Sequence, residues 1–266
     1  MAHSLELIKP SKSQLQAWAD LSHSRERRGQ GLFLAEGYKI IQELYRSHWE
    51  VKAFLVMGRK KDRWEPFLFT VITDETVFGL TDAQWGKLSQ DRESEGLMAV
   101  VERPPRENVA TALSRKPERL LLLHQVNNPN NLGALLRTAQ WFGFGTILLG
   151  AGSVDFTNPK VVRSSMGSIF HVRIVDEVAF DEAMPLIKRD YFVLGSHARK
   201  GARPHVRAGG KTALFLGSES HGIPKSLLAA CDELWRIPGV GDADSLSLPQ
   251  AAAIMMYECA SLPDNV

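Results

Sequence analysis

The sequence predicts an α/β protein: a mainly parallel sheet in the second half of the chain, preceded by a smaller α/β unit. Three observations carry this. Short apolar runs, among them Leu120–Leu123, Ile147–Leu149 and Ala213–Leu216, alternate with segments whose apolar residues recur at helical spacing. Polar turns rich in Gly, Asn and Ser follow several of those runs, which is where open α/β sheets place ligands. Pro104-Pro105-Arg106 breaks the pattern between the two parts.

In chain order, residues 12–30 read as one helix ending in Arg25-Glu26-Arg27-Arg28. Leu32–Gly37 is a short apolar run, and Ile40, Ile41, Leu44 and Tyr45 share one helical face. Val51–Met57 reads as a strand, Arg59–Arg63 as a basic loop and Val71–Thr73 as another strand. Thr81 or Asp82 caps the next helix, and Leu97–Val101 is a strand. The boundaries expected are a first domain over 1–103, a linker over 104–118 and a second domain over 119–266. In the second domain, strands at Leu120–Val126, Gly145–Gly150, His171–Val175, Tyr191–Gly195, Ala213–Leu216 and Leu234–Pro238 alternate with helices. Pro159 and Pro224 stand at helix starts.

Composition bounds the function classes. With 266 residues, 44% hydrophobic and 23% charged, the chain is ordinary globular protein, and a net charge of +2 says little about partners. No apolar run approaches the roughly 18 residues of a membrane span, and Met1–Pro10 lacks a secretory layout, so a cytoplasmic protein is expected. Cys231 and Cys259 have no metal-ligand spacing, and no metal site is expected. Between Tyr191 and Ser218 there is no acidic residue, while Arg199, Lys200, Arg203, Arg207 and Lys211 are present. That loop, with the clusters at Arg25–Arg28 and Arg59–Arg63, suits either phosphate contacts or plain solvation.

Three turns stand out. Asn127-Asn128-Pro129-Asn130-Asn131-Leu132-Gly133 joins a strand to a helix that carries Arg137, with Asn130 or Asn131 placed to accept its first N–H groups. Gly217-Ser218-Glu219-Ser220-His221-Gly222 follows a buried strand. Ile237-Pro238 leads through a Gly/Asp loop to Ser245-Leu246-Ser247-Leu248-Pro249-Gln250, where Ser247 and Gln250 have capping-box spacing.

Taken in order, these turns resemble the three motifs of the SpoU (TrmH-type) branch of the SPOUT RNA methyltransferases. The likeness runs through Asn131-Leu132-Gly133 with Arg137-Thr138-Ala139, Leu216-Gly217 with Glu219 and Gly222, and Ile237-Pro238 with Ser245-Leu246 and Ala251-Ala252-Ala253. It covers residues 118–262. Arg28 and Gly31–Gly37 resemble the ribosomal-protein-like RNA-binding domain that precedes the catalytic domain in some members.

The resemblance implies a knotted parallel-sheet domain with a deep C-terminal trefoil knot. It also implies S-adenosylmethionine as cofactor, 2′-O-methylation of RNA ribose, and a homodimer through the catalytic domain. Carried over, Asn131, Arg137, Glu219 and Ser245 are catalytic. Leu216, Gly217, Gly222, Ile237, Pro238 and Leu246 hold the cofactor. Arg25, Arg28, Arg199 and Arg203 are the expected RNA contacts, with ribosomal RNA preferred over transfer RNA as substrate.

Because a guanidinium stays protonated, Arg137 is read as the cation that steadies the forming alkoxide or grips the adjacent phosphate, not as a base. Glu219 is expected to orient Arg137, and Asn131 and Ser245 to position ribose or phosphate. Ser247 stands where the family usually has Asn. The competing readings are an RNA-binding protein without methyl transfer and a tRNA methyltransferase. A dinucleotide enzyme is excluded, because no G-x-G-x-x-G follows the first strand of either half.

Overall fold

A computed structural model of the chain describes residues 5–91, 93–206, 209–242 and 245–260. It comprises two compact units, one of residues 1–105 with 155–170, the other of residues 106–154 with 171–266.

In the first unit, α1 (Lys12–Asp20) and α2 (Ser24–Gln30) precede β1 (Leu32–Glu36), α3 (Tyr38–Tyr45), β2 (Val51–Met57) and α4 (Lys61–Val71). Then come β3 (Thr76–Leu80), α5 (Asp82–Leu88) and β4 (Leu97–Glu102). The sheet runs β1-β4-β2-β3, with only β2 and β3 parallel. Trp18, Leu34, Leu55, Phe78, Trp85 and Val100 form the core of one face. Capping boxes at Ser11/Gln14 and Thr81/Gln84 start α1 and α5.

The second unit contains α6 (Val109–Ser114), β5 (Arg119–His124), α7 (Pro129–Trp141) and β6 (Thr146–Gly150). The chain then passes through α8 (Pro159–Ser164), which belongs to the first unit. It returns as β7 (Arg173–Val178), α9 (Phe180–Ile187), β8 (Phe192–Ser196) and β9 (Thr212–Gly217). It finishes with α10 (Lys225–Ala229), β10 (Glu233–Trp235) and α11 (Leu248–Ala260). The six strands lie in the order β10-β8-β9-β5-β6-β7, every neighbouring pair parallel. All their carboxyl ends therefore share one edge. α11 packs on α7 and β9, and Arg119 Nε at the start of β5 donates to the Cys259 carbonyl (3.2 Å). The first turn of α11 accordingly points toward the carboxyl edge.

Three local expectations are corrected. Residues 12–30 form two helices, because the turn at Leu21–His23 frees the carbonyls of Leu21 and Ser22 to accept Arg27 Nη1 (2.9 and 3.0 Å). Val71–Thr73 is no strand: Trp64, Leu68 and Val71 form the buried stripe of α4, and the strand begins at Thr76. The expected linker contains α6, capped by Asn108, whose Ala112 is buried in the second unit's core beside Leu120, Phe180 and Ile187.

One interaction of the first unit was hidden in a basic cluster. Arg27 is 1% exposed and meets Asp155 Oδ2 through Nη2 (2.8 Å) and Nε (3.0 Å). The other carboxylate oxygen accepts the Thr157 N–H and hydroxyl (3.1 and 2.9 Å) and Arg103 Nη1 (3.3 Å). Burial alone would raise the Asp155 pKa. Arg27, the Thr157 hydrogen bonds and Arg103 outweigh it and hold the carboxyl below its ordinary value.

Asp155→Asn leaves the buried Arg27 charge uncompensated and is expected to cost about 3–5 kcal/mol, read as a lower urea midpoint at pH 7. Since the folded-state pKa is depressed, that difference is fully present above the unfolded value of about 3.9 and disappears as pH falls through the folded value.

Candidate active site

The first loop leaves β5 at His124, turns through Gln125 in the left-handed region (φ 51°) and buries Val126. The helix cap is Asn128, not Asn130 or Asn131. Its side chain accepts the N–H groups of Asn130 (2.9 Å) and Asn131 (3.4 Å). Pro129 explains the shift: it occupies the first helical position and keeps Asn128 extended. Leu132, Leu135, Leu136 and Ala139 face the core, leaving Asn131 half-buried and Arg137 exposed.

The second loop folds back on its own strand end. The Gly222 N–H donates to the Ser218 carbonyl (2.8 Å), and the His221 N–H to Ser218 Oγ (3.3 Å). A Cβ on Gly217 would lie 2.1 Å from the Gly222 carbonyl carbon, so only glycine permits this return; Gly222 itself has φ 64°. The turn presents Glu219 exposed at its tip.

The third loop leaves β10 through Ile237 and Pro238, both half-buried, and leads to Ser245 and Leu246, both exposed, just before α11. Ser247 directs both its N–H (3.4 Å) and its hydroxyl (3.0 Å) to Gln250 Oε1. This is the reciprocal half of a capping box, and it ties the Ser247 side chain to the helix entry.

Strand order brings the first two loops together. β5 and β9 are neighbours, with His124 opposite Gly217, and Asn131 Nδ2 donates to Glu219 Oε1. Glu219, expected from the sequence to orient Arg137, accepts this hydrogen bond from Asn131. The exit of β8 lies against that of β10, where the His197 N–H donates to the Trp235 carbonyl (2.9 Å). His124 closes β5 at the same edge. Burial lowers its pKa while Asp181 pulls upward, and its ring lies 6.2 and 6.4 Å from those of Phe180 and Phe215.

The expected cofactor residues divide by environment. Leu216 and Gly217 are buried in the strand end, Gly222, Ile237 and Pro238 are half-buried, and Leu246 is 47% exposed. Apolar side chains left partly open and a glycine-tightened backbone turn are the kinds of group that suit an adenosyl moiety, which needs an apolar face and backbone hydrogen bonds. Among the described residues no cluster of His, Cys, Asp or Glu suits a metal ion, and no helix is long and apolar enough to cross a membrane.

The basic clusters sort differently than composition suggests. Arg25 and Arg28 are exposed on α2, while Arg27 between them is buried. The Arg59–Arg63 cluster is not a loop but a 3-10 turn (Gly58–Lys60) running into the start of α4, and its cations are engaged. Arg59 pairs with Asp82 (2.9 Å), Lys60 with the Ser94 carbonyl (2.6 Å) and Lys61 with Glu65 (3.8 Å); Arg63 lies over Trp64 (4.6 Å). Arg199 and Arg203 are exposed on a loop held along β10 by an Ala202–Trp235 bridge. Arg207 lies outside the described residues.

Residues 118–257 match the model of the SpoU rRNA methylase family, and residues 12–99 that of the MRM3-like substrate binding domain. The chain is 30% identical to the 23S rRNA (guanosine(2553)-2′-O)-methyltransferase RlmP of Bacillus subtilis, over 95% of this chain and 98% of that protein. It is 26% identical to a 23S rRNA (uridine(2479)-2′-O)-methyltransferase of Streptomyces viridochromogenes, over 94% and 90% of the two chains. The fold is shared with the crystal structure of the SpoU methyltransferase AviRb from that organism in complex with AdoMet. The TM-score is 0.82 at 24% identity, covering 93% of this chain and 97% of that one. Fold and site thus define a parallel-sheet methyltransferase with a separate substrate-binding domain. The chain belongs to the SpoU rRNA methylase family.

Gly217→Ala is expected to displace the Gly222 turn, with an overpacking cost of about 1–3 kcal/mol. Calorimetric titration should show weakened S-adenosylmethionine binding, while the far-UV circular dichroism spectrum stays that of the parent.

Proposed function

We propose that this methyltransferase acts on ribosomal RNA of the large subunit, with Asn131, Arg137, Glu219 and Ser245 as the residues of the reaction. S-adenosylmethionine, when bound, supplies an electrophilic methyl group on sulfur for a ribose 2′-hydroxyl. What carries the assignment of residues is the hydrogen bond from Asn131 to Glu219, which joins two loops 88 residues apart at the carboxyl edge of the sheet.

In this reading, Glu219 consumes one amide hydrogen of Asn131 and turns the amide so that its oxygen and second N–H face the ribose. Ser245, exposed just before α11, adds a hydroxyl for the ribose or its phosphate. Among the described residues the exposed Arg137 side chain makes no hydrogen bond or ion pair, which leaves its fork available to a phosphate or to charge building on the attacking oxygen. A guanidinium in that role stabilises charge and does not remove the proton. Leu216, Gly217, Gly222, Ile237, Pro238 and Leu246 hold the adenosyl part.

The two units divide the work, the first gripping RNA and the second transferring the methyl group. Arg25 and Arg28 on α2 and Arg199 and Arg203 beside β10 contact phosphates, with affinity that falls as salt rises. The chain acts in the cytoplasm as a homodimer through the catalytic domain. Support for the dimer comes from Trp141, 83% exposed at the end of α7, and from exposed Ile254 and Tyr257 on the adjoining α11. We also infer the deep trefoil knot, made by passage of the chain that ends in α11.

The test is methyl transfer from labelled S-adenosylmethionine to RNA from cells lacking the protein, followed by mapping of 2′-O-methyl sites. Label in 23S rRNA is the expected result. Label in tRNA alone, or RNA binding without label, overturns the substrate or the activity. Arg137→Lys should lower kcat by about 10²-fold; near-normal turnover with an unchanged pH profile removes the cation role. Trp141→Glu is expected to convert the dimer to monomer, measured by light scattering.

A further inference from the structure

The loop that presents Asn131 is not self-supporting. Gln125 holds φ 51°, a conformation that a residue with a side chain keeps only when its surroundings impose it. The next residue, Val126, is fully buried, and both of its backbone polar groups need partners. Both partners come from one short segment just beyond β6. Ser153 Oγ accepts the Val126 N–H (3.2 Å), and the Val154 N–H donates to the Val126 carbonyl (2.9 Å). Ser153 is itself anchored, its own N–H donating to the Gly150 carbonyl (3.1 Å).

We propose that Ser153 is a positioning residue for methyl transfer: its hydroxyl, with the Val154 amide, clamps Val126 and thereby sets where the loop starts. The consequences run along the chain. Two residues after Val126, Asn128 caps α7, and three residues later Asn131 reaches Glu219. A small rotation at Val126 moves the cap and then the amide. Placement errors near 1 Å are enough to cost about 10²-fold in rate when reacting groups must be aligned. Among the described residues Ser153 hydrogen-bonds Val126 and Gly150 and none of the expected cofactor residues or the loop of Glu219, so its loss is expected to act on alignment and not on cofactor affinity. Removing the hydroxyl leaves the buried Val126 N–H unpaired, while the Val154–Val126 hydrogen bond does not involve it and keeps the other half of the clamp. The proposal rests on the reading of Asn131 and Arg137 as residues of the reaction.

The experiment compares the full-length enzyme with Ser153→Ala, Ser153→Thr and Arg137→Ala. It measures kcat and KM on ribosomal RNA, S-adenosylmethionine affinity by calorimetry, and amide exchange at Val126. Ser153→Ala should lower kcat about tenfold, leave cofactor affinity within about twofold and accelerate exchange of the Val126 amide. Ser153→Thr, which keeps the hydroxyl, should restore kcat and protection together. Wild-type kcat in Ser153→Ala, with Arg137→Ala inactive, overturns the positioning role alone. Equal loss of kcat and cofactor affinity, or failure of Thr to rescue, also overturns it. If Arg137→Ala keeps full turnover, the reading of the site falls and this proposal with it.

Discussion

Parallel pairing of β5 with β9 is the constraint on which the site depends. It sets His124 opposite Gly217, so the loops that follow the two strands leave the sheet side by side. The 88-residue separation of Asn131 and Glu219 does not matter once that register forms, since parallel strands must release their loops at the same edge. The Asn131–Glu219 hydrogen bond is a consequence of this pairing. The turn that projects Glu219 needs a second condition, the absence of a side chain at Gly217, where the returning Gly222 backbone leaves no room for one.

Polar groups in the two units serve different ends. Around Asp155 they are buried and mutually satisfied, an arrangement that contributes little net stability over an apolar substitute yet tolerates no missing partner. Such a cluster selects one arrangement of α2 and the segment 155–170 within the first unit. At the carboxyl edge of the second unit the pattern reverses. Glu219 and Ser245 are exposed, Asn131 is half-buried, and Leu246 leaves apolar surface open. Side chains kept in contact with solvent at the mouth of a well-packed sheet are suited to exchange water for ligand.

The same distinction explains why charge counts mislead. Arg25, Arg27 and Arg28 are near neighbours in sequence, but a single helical turn holds one buried structural cation and two exposed ones on different sides. In the Arg59–Arg63 cluster each cation has a local acceptor or ring beneath it. A cationic run becomes a nucleic-acid surface only where the fold leaves its charges unneutralised by neighbours, and composition does not report that.

By itself the sequence determined the α/β class, most strand positions in the second half, and the residue types gathered at the three turns. Each of these depends on local periodicity or on the backbone demands of Pro, Gly and Asn. It misplaced what depends on neighbours remote in the chain. Val71–Thr73 has strand-like residues but completes the buried stripe of α4, and the stretch after Pro105 becomes a helix because Ala112 finds the second unit's core. Among the candidate site residues, Asn131 and Glu219 are legible at their turns while the hydrogen bond between them is not, because the sequence offers Arg137 as the partner of Glu219. Only the tertiary structure decided these, because a hydrogen bond across adjacent strands and a clamp such as Ser153 on Val126 depend on strand order and register. No local pattern of residues encodes either.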